Sequence, residues 1–354
     1  MRAEEAFIDY VRRRRSTLLH PQAPPAAVSE ALALLGLDDA SLARWSASGP
    51  ALVSLPHASP NVFDPRMRVC WYAAAAQRRA PRAVHHLRVV LTHVNFSDLG
   101  WRPYAWWYLG EDGNVRGHRQ FSRNKRRKHV TVASQPAMDA VPEAAAGADL
   151  AASRVARWGA DLAVSYMLIT AVVERAAGMV TAPAATTYFP LPWLVSFVRE
   201  HAAGAASVPD EALTSWCARL TEQAHGRRTG PDGTLLECPA QQATVFDNYS
   251  NLAALSLLGA PQVLGGAKMA GYWPHVEELL DVLRPAAPAD VRDPRVALVP
   301  QGDPGRFVGP TPETAAQLER HGVPYSQGLA VAEHGNFAER RDPFDVPEAA
   351  VSSG

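Results

Sequence analysis

The stretch Val84–Phe96, VHHLRVVLTHVNF, decides the fold predicted for this chain. Alternate positions carry apolar side chains on each of two faces, Leu87, Val89 and Leu91 on one and Val90, Val94 and Phe96 on the other. A period of two residues is typical of a β-strand, because successive side chains of a strand point to opposite sides of the sheet. The stretch therefore predicts a strand.

The residues that follow predict further strands. An aromatic segment, Trp101–Leu109, leads into Glu111–Asn114 (EDGN), a strong tight-turn signal, and Val115–Phe121 returns from it. The segment Lys128–Ala133 is a candidate for a fourth strand. We therefore expect an antiparallel meander of three or four strands over residues 84–133.

Helices are expected on both sides of this meander. The apolar periodicity and the turn residues place them at Glu4–Leu19, Ala26–Trp45 with a break near Gly36–Asp39, Leu150–Val180, Pro192–Ala203, from Ser207, Thr244–Leu258 and His275–Arg284. A short strand is expected at Val296–Val299. The prediction is an α+β fold: residues 1–135 with helices and meander, a helical region 150–340 packed on it as one cooperative unit, and a disordered tail, 341–354.

Composition indicates a globular protein without a chain-wide charge. The 354 residues carry 35 basic and 35 acidic side chains, so no net field draws the protein to nucleic acid or to a membrane. Its longest uncharged apolar run, Leu162–Val173, is too short to span a bilayer, which takes about 20 residues. The three cysteines cannot all pair, and no targeting signal is recognisable, so we expect a cytoplasmic protein. Its basic residues are almost all arginine, which together with abundant alanine and 29 prolines indicates a GC-rich bacterial genome.

The first candidate catalytic group is formed by His93, Asn95 and Asp98 near the end of the predicted strand. His93 and Asn95 share a strand face, and Asp98 would orient the imidazole for acid–base chemistry. Cys70 is an alternative nucleophile. It lies early on a predicted helix, where the helix dipole lowers the pKa of a thiol, and His93 on the following strand would serve as its base. Its place on an apolar helical stripe with Met67 favours a role in the core instead.

The second candidate is a run of cations after the aromatic segment. Seven basic residues fall within thirteen positions: Arg116, Arg119, Arg123, Lys125, Arg126, Arg127 and Lys128. Arginine grips phosphate with a planar fork, and aromatic rings such as Trp106 and Tyr108 stack on bases or apolar groups. These residues predict an anionic small molecule or a carrier protein as partner, with nucleic acid less favoured. A solvated face is the alternative.

The third candidate is the helical segment with Asp247 and Asn251, which lie four residues apart and therefore on one face. Their oxygens would suit substrate or Mg²⁺, while a helix cap by Asp247 is the simpler interpretation. No metal site is predicted elsewhere, because His85 and His93 on one strand are about 26 Å apart and no zinc-type spacing occurs.

Two functions follow from these residues. The first is an enzyme of transferase or cyclase type, possessing a cleft between meander and helices, with His93 as the acid–base group. The second is a non-catalytic binding or assembly protein that uses the basic hairpin 116–128. The sequence identifies neither a cofactor nor an oligomeric state.

Overall fold

A computed structural model of the chain describes residues 2–48, 51–58, 73, 84–96, 105–109, 115–119, 129–137, 155–176, 180, 185–207, 210–259, 261–265 and 267–298. Within 105–109 and 115–119 only the backbone is described. The strands are β1 (Leu52–Ser54), β2 (His86–Val90), β3 (Ala105–Leu109), β4 (Val115–Arg119), β5 (Thr186–Pro190), β6 (Gly226–Thr229), β7 (Leu235–Cys238), β8 (Val245–Phe246), β9 (Gln262–Gly265) and β10 (Arg295–Leu298). The α-helices are α1 (Ala3–Arg14), α2 (Pro25–Leu34), α3 (Asp39–Ala47), α4 (Leu162–Ala176), α5 (Leu191–Ala202), α6 (Glu211–Gln223), α7 (Asn248–Ala254) and α8 (Ala267–Leu283).

A five-stranded parallel sheet organises the described part of the chain. Its order is β10-β9-β1-β2-β5, and every neighbouring pair is parallel. Numbered among themselves along the chain, these strands have the order 3-2-1-4-5, which is that of doubly wound α/β sheets. The sheet grows outward from β1 in both directions, so the order reverses between β1 and β9. The fold is therefore mainly α/β.

The predicted antiparallel meander is wrong. Strand β2 lies between two parallel partners, with Leu87 beside Val53 on β1 and Thr187 on β5. All five residues of β2 are buried, as is typical of strands covered on both faces. The period of two residues identifies β2 as a strand but does not tell whether its partners are parallel, and both partners, β1 and β5, come from outside residues 84–133. His86 and Arg88 interrupt the apolar run in the sequence. Both polar side chains are instead buried.

One part of the meander prediction is confirmed. Strands β3 and β4 form an antiparallel pair, with Ala105 opposite Arg119 and Leu109 opposite Val115. They make a separate two-stranded sheet. The expected fourth strand is wrong: Val130 and Thr131 form isolated bridges with Thr234 and Asn95, and a 3-10 turn follows.

Several helices lie where the sequence places them. The break between α2 and α3 falls at the expected position, because Gly36 adopts φ of +63° and Asp38 caps α3 through the backbone N–H of Ser41. Helix α5 matches its prediction closely, and strand β10 also matches its own. The helix expected from Ser207 begins at Glu211 instead, because Asp210 is its cap. The predicted tail, 341–354, lies outside the described residues.

Helices cover both faces of the parallel sheet. On one face, the ring of Phe189 from β5 packs against Phe7 of α1 and Trp45 of α3 at centroid distances of 5.3 and 5.8 Å. Phe7 in turn lies 6.1 Å from Trp45 and 5.3 Å from Phe197 of α5. On the other face, α4 places Glu174 against Arg88 of β2. The sheet thus takes strands from both of the regions that the sequence divides near residues 135–150.

A second, antiparallel sheet of order β7-β6-β8 lies beside the parallel one. The segment around Thr131 joins the two. Its backbone N–H donates to Gly233 in the β6–β7 turn at 2.8 Å, and Val132 donates to Val94, just beyond β2, at 3.0 Å. The turn of the small sheet is therefore attached at the carboxyl end of β2.

Candidate functional site

The carboxyl edge of the parallel sheet carries two histidines on neighbouring strands. His57 follows β1 and His93 follows β2. The pairing of these strands continues past their ends through a parallel bridge between His57 and Leu91, and the backbone N–H of Leu91 donates to Pro56 at 2.8 Å. In open α/β sheets, ligands bind outside the carboxyl ends of the strands. This edge is therefore the candidate site.

His93 is neutral at this edge. Burial lowers the pKa of its imidazole to about 3, and the positive charge of Arg227 and the neighbouring His57 lower that pKa further. Its Nδ1 atom is buried and has no hydrogen-bond partner in the part of the chain that the structure describes. A neutral imidazole with a buried, unpaired ring nitrogen can accept or donate one hydrogen bond to a ligand.

Thr131 is the second unpaired group at this junction. It faces Asn95 across an antiparallel bridge, and the residue is fully buried. Its Oγ1 also lacks a hydrogen-bond partner within the described ranges. Gly233, which accepts from the Thr131 N–H, has φ of +82°, and a Cβ there would come within 2.6 Å of the Ser134 hydroxyl. The close approach of the β6–β7 turn therefore depends on this glycine.

The positive charge of Arg227 acts on His93 from the small antiparallel sheet. It lies on β6, is half-buried, and forms no ion pair or side-chain hydrogen bond with any described residue. Its cross-strand neighbour on β7 is Glu237, which is exposed. An arginine that is held near a neutral histidine, and is not neutralised by a carboxylate, favours a negatively charged ligand.

A layer of charged and polar side chains lies below this edge, inside the sheet. Arg88 Nε and Glu174 Oε2 are 2.8 Å apart, and both side chains are fully buried. The Tyr188 hydroxyl donates to the same carboxylate, and the Arg88 guanidinium lies 5.6 Å from the Tyr188 ring centroid. Register aligns Ser54, Arg88 and Tyr188 on three adjacent strands. The Arg88–Glu174 pair is therefore a buried, charge-assisted hydrogen bond at the centre of the sheet.

The two histidines at the start of β2 are held by hydroxyl groups. His86 Nε2 lies 2.9 Å from Ser54 Oγ, and His85 Nε2 lies 2.8 Å from Thr187 Oγ1. Thr187 donates its hydroxyl proton to the Gly36 carbonyl, so His85 Nε2 is the donor in its pair. Burial lowers the pKa of both imidazoles. Both rings are therefore neutral parts of the core.

Only some of the predicted site residues lie at this edge of the sheet. His93 and Asn95 lie at the carboxyl edge beside Thr131, while Asp98, Cys70 and Arg126 lie outside the described residues. The backbone register of the β3–β4 hairpin sets Trp106 opposite His118, Tyr108 opposite Arg116 and Ala105 opposite Arg119. The substrate-binding role of Trp106, Tyr108, Arg116, Arg119 and Arg126 stays a prediction.

Asp247 and Asn251 have structural partners. Asp247 caps α7 by accepting from the Ser250 N–H at 2.9 Å, as the simpler interpretation predicts, and it accepts from the His225 N–H at 3.0 Å. The Asn251 amide donates to the Phe246 carbonyl at 2.9 Å. These bonds give both residues a role in ending the small sheet and starting α7. Their role in substrate binding is without support from this geometry.

Sequence reasoning missed three groups of the site. His57 follows a short buried run, Ala51–Ser54, whose three-residue strand gives almost no periodic signal. Thr131 pairs with Asn95, and Arg227 acts electrostatically on His93, only in the folded chain, and no local pattern marks either residue. In the described ranges, no group of three or more His, Cys, Asp or Glu side chains is arranged to hold a metal ion.

Comparison with models of protein families, with curated proteins and with solved structures gives no significant match. A search of the helices in the described residues likewise finds none with the length and apolarity that crossing a bilayer requires.

Proposed function

We propose that this protein is an enzyme that acts on a small or carrier-tethered anionic substrate at the carboxyl edge of the parallel sheet, with acid–base chemistry at His93. The observation that carries the proposal is the buried, unpaired Nδ1 of His93 at the end of β2. His93 lies at the carboxyl edge of the sheet, the edge at which doubly wound sheets bind ligands, although it follows β2 and not the point between β1 and β9 where the strand order reverses. A cytoplasmic location is part of the proposal, supported by the unpaired Cys217 and Cys238.

The low pKa defines what His93 does before substrate binds. At neutral pH its ring is uncharged, so it offers a lone pair and one N–H, and it does not itself attract an anion. The attraction comes from Arg227. A bound anion would offset the charge of Arg227 and so raise the pKa of His93, while burial, the larger cause of the low pKa, would stay in place.

The test compares His93→Gln with His275→Gln, a control at an exposed histidine. Each purified protein is incubated with a small-molecule extract of its host cells, and consumption of compounds is followed by mass spectrometry. We expect the wild type and the control to consume the same compound, and His93→Gln to be slower by about 100-fold or more. Equal consumption by all three proteins would refute the role of His93.

The second candidate is a non-catalytic binding or assembly protein that uses the basic hairpin, residues 116–128. The antiparallel pairing of β3 and β4 supports it, because Arg116 and Arg119 both lie on β4, which pairs along its length with β3. Retention on heparin at increasing salt tests this candidate with Arg116→Glu and Arg119→Glu. Loss of salt-sensitive retention, together with undiminished consumption by His93→Gln, would favour binding over catalysis.

A further inference from the structure

We propose that the buried ion pair of Arg88 and Glu174 selects the register of β2 in the parallel sheet, and thereby positions the carboxyl edge of that sheet. This role is independent of the proposed function at His93, because it concerns how β2 is placed between its neighbours. Among the side chains that the structure describes, these two are the only Arg, Lys, Asp or Glu side chains that are fully buried.

The apolar side chains of β2 do not select a register by themselves. Leu87 and Val89 lie on one face of the strand and Val90 lies on the other, and all three are buried. A one-residue slip moves every side chain to the opposite face. Because both faces of β2 are covered, its apolar side chains would stay buried after such a slip. Another interaction must therefore distinguish the native register.

On its own face of the sheet, Arg88 contacts groups from two other segments. Its Nε lies 2.8 Å from Glu174 Oε2, near the end of α4. Its guanidinium lies 5.6 Å from the ring centroid of Tyr188, which is its register partner on β5. The Tyr188 hydroxyl donates to the same carboxylate. The native register therefore brings a basic group, an acidic group and a donor for the acid to one place inside the sheet.

The opposite face of the sheet is aromatic at this position. There Val89 pairs with Phe189, whose ring packs against Phe7 and Trp45 at centroid distances of 5.3 and 5.8 Å. A one-residue slip would turn Arg88 toward these rings, and a two-residue slip would move it about 6.6 Å along its own face. Either change breaks the ion pair. A buried charge that loses its partner disfavours the slipped register about 100-fold or more.

The register of β2 continues to the carboxyl edge of the sheet. Beyond β2, Leu91 forms a parallel bridge with His57, and the Leu91 N–H donates to the Pro56 carbonyl at 2.8 Å. A slip of one residue would shift Leu91 and the residues after it by about 3.3 Å relative to β1. The ion pair thus positions an edge that lies beyond the end of its own strand.

Two neutral hydrogen bonds also favour the native register. His86 Nε2 lies 2.9 Å from Ser54 Oγ, and His85 Nε2 lies 2.8 Å from Thr187 Oγ1. A hydrogen bond between neutral groups contributes less than one that involves charged groups, so the ion pair has the larger share in the selection. Both neutral bonds remain when the ion pair is replaced, and the experiment therefore tests the contribution of the pair alone.

The experiment is methyl NMR of the full chain, with ¹³C-labelled leucine and valine methyl groups. In the wild type, the register partners Val53 and Leu87 should give one set of signals and an NOE between their methyl groups. Arg88→Met with Glu174→Leu should fold, but a second set of signals that lacks this NOE should account for about 5% or more of the protein. Arg88→Gln with Glu174→Gln, the control, should keep one set, because a slip would leave two buried amides without their partners.

Two results would overturn the proposal. One is a single set of Leu87 signals with the native NOE in the apolar double variant, since the register would then survive without the pair. The other is the same second set in both double variants. If the apolar double variant does not fold, Arg88→Lys and Arg88→Met decide. The lysine keeps a charge opposite Glu174, so the second set should appear with methionine only, and equal spectra would refute the proposal.

Discussion

Glu4, in the first turn of α1, makes the stability of this protein depend on pH near neutrality. Its carboxylate accepts from Trp45 Nε1 at 2.9 Å and lies against Gly259, where a Cβ would come within 2.7 Å of Glu4 Oε2. Burial raises the pKa of Glu4 from 4.5 to about 7; Glu5 and Asp290 add to the increase, while the Trp45 bond and Arg2 oppose it. We expect Glu4→Gln to remove this dependence while keeping the bond to Trp45.

The sign and size follow from linkage. Below pH 4.5 the carboxyl is protonated in both states, so its stability contribution is fully present. As pH rises toward 7, the unfolded chain ionises and the folded one does not, and the free energy of unfolding falls. A pKa moving from 4.5 to about 7 corresponds to at most about 3.4 kcal/mol at 1.36 kcal/mol per pH unit. Because Glu4 is only partly buried, we expect about 1–2 kcal/mol.

The assay is urea unfolding, followed by tryptophan fluorescence, at pH 5 and pH 8.5. Glu4→Gln should be more stable than the wild type by about 1–2 kcal/mol at pH 8.5, and the difference should shrink at pH 5. The control is Glu5→Gln. Glu5 is exposed and its hydrogen bond to Arg2 lowers its pKa, so its pH dependence has the opposite sign. An equal difference at both pH values for Glu4→Gln would refute this account.

Two further predictions concern the sheet, and urea unfolding measures both. Arg88→Met or Glu174→Leu alone should lower the free energy of unfolding by about 3–5 kcal/mol, because each leaves a buried charge unpaired, while the double variant should cost much less; additive losses would contradict the ion pair. Gly36→Ala should cost at least about 2 kcal/mol more than Gly204→Ala. Both glycines have positive φ, but a Cβ at Gly36 would come within 2.0 Å of the Thr186 carbonyl oxygen, whereas at Gly204 nothing lies within 4 Å; equal losses would contradict this steric reasoning.

Local signals predicted the helices of this fold better than its sheet. Gly36 and Asp38 end one helix and cap the next through contacts within a few residues, so the sequence shows the break directly. Strand β2 depends on distant partners. The burial of Arg88 becomes favourable only because Glu174 and Tyr188, from later segments, satisfy it. The period of two residues therefore predicted the strand itself, but neither its parallel partners nor the buried ion pair of Arg88.

The candidate site was likewise predictable where it follows from a local pattern, and not where it depends on distant segments. His93 and Asn95 stand out because polar residues follow an apolar strand, and both lie at the edge of the sheet. Thr131 reaches this edge through its bridge to Asn95 and its bond to the Gly233 turn, and the effect of Arg227 on His93 arises only in the tertiary structure. The anionic partner of the basic hairpin was predicted from charge density alone, and charge density carries no information about where the hairpin packs.

The position of β1 at the centre of the sheet has a consequence during synthesis. Leu52 pairs with His86 on one side, but its other neighbour, Gln262, is made more than two hundred residues later. At about 5–20 residues per second, the ribosome needs about 10–40 s to supply that partner. During this interval a buried strand of the finished protein has an unpaired edge in the nascent chain, and such edges recruit other strands. Productive folding of this protein therefore depends on protecting that edge until its second partner leaves the ribosome.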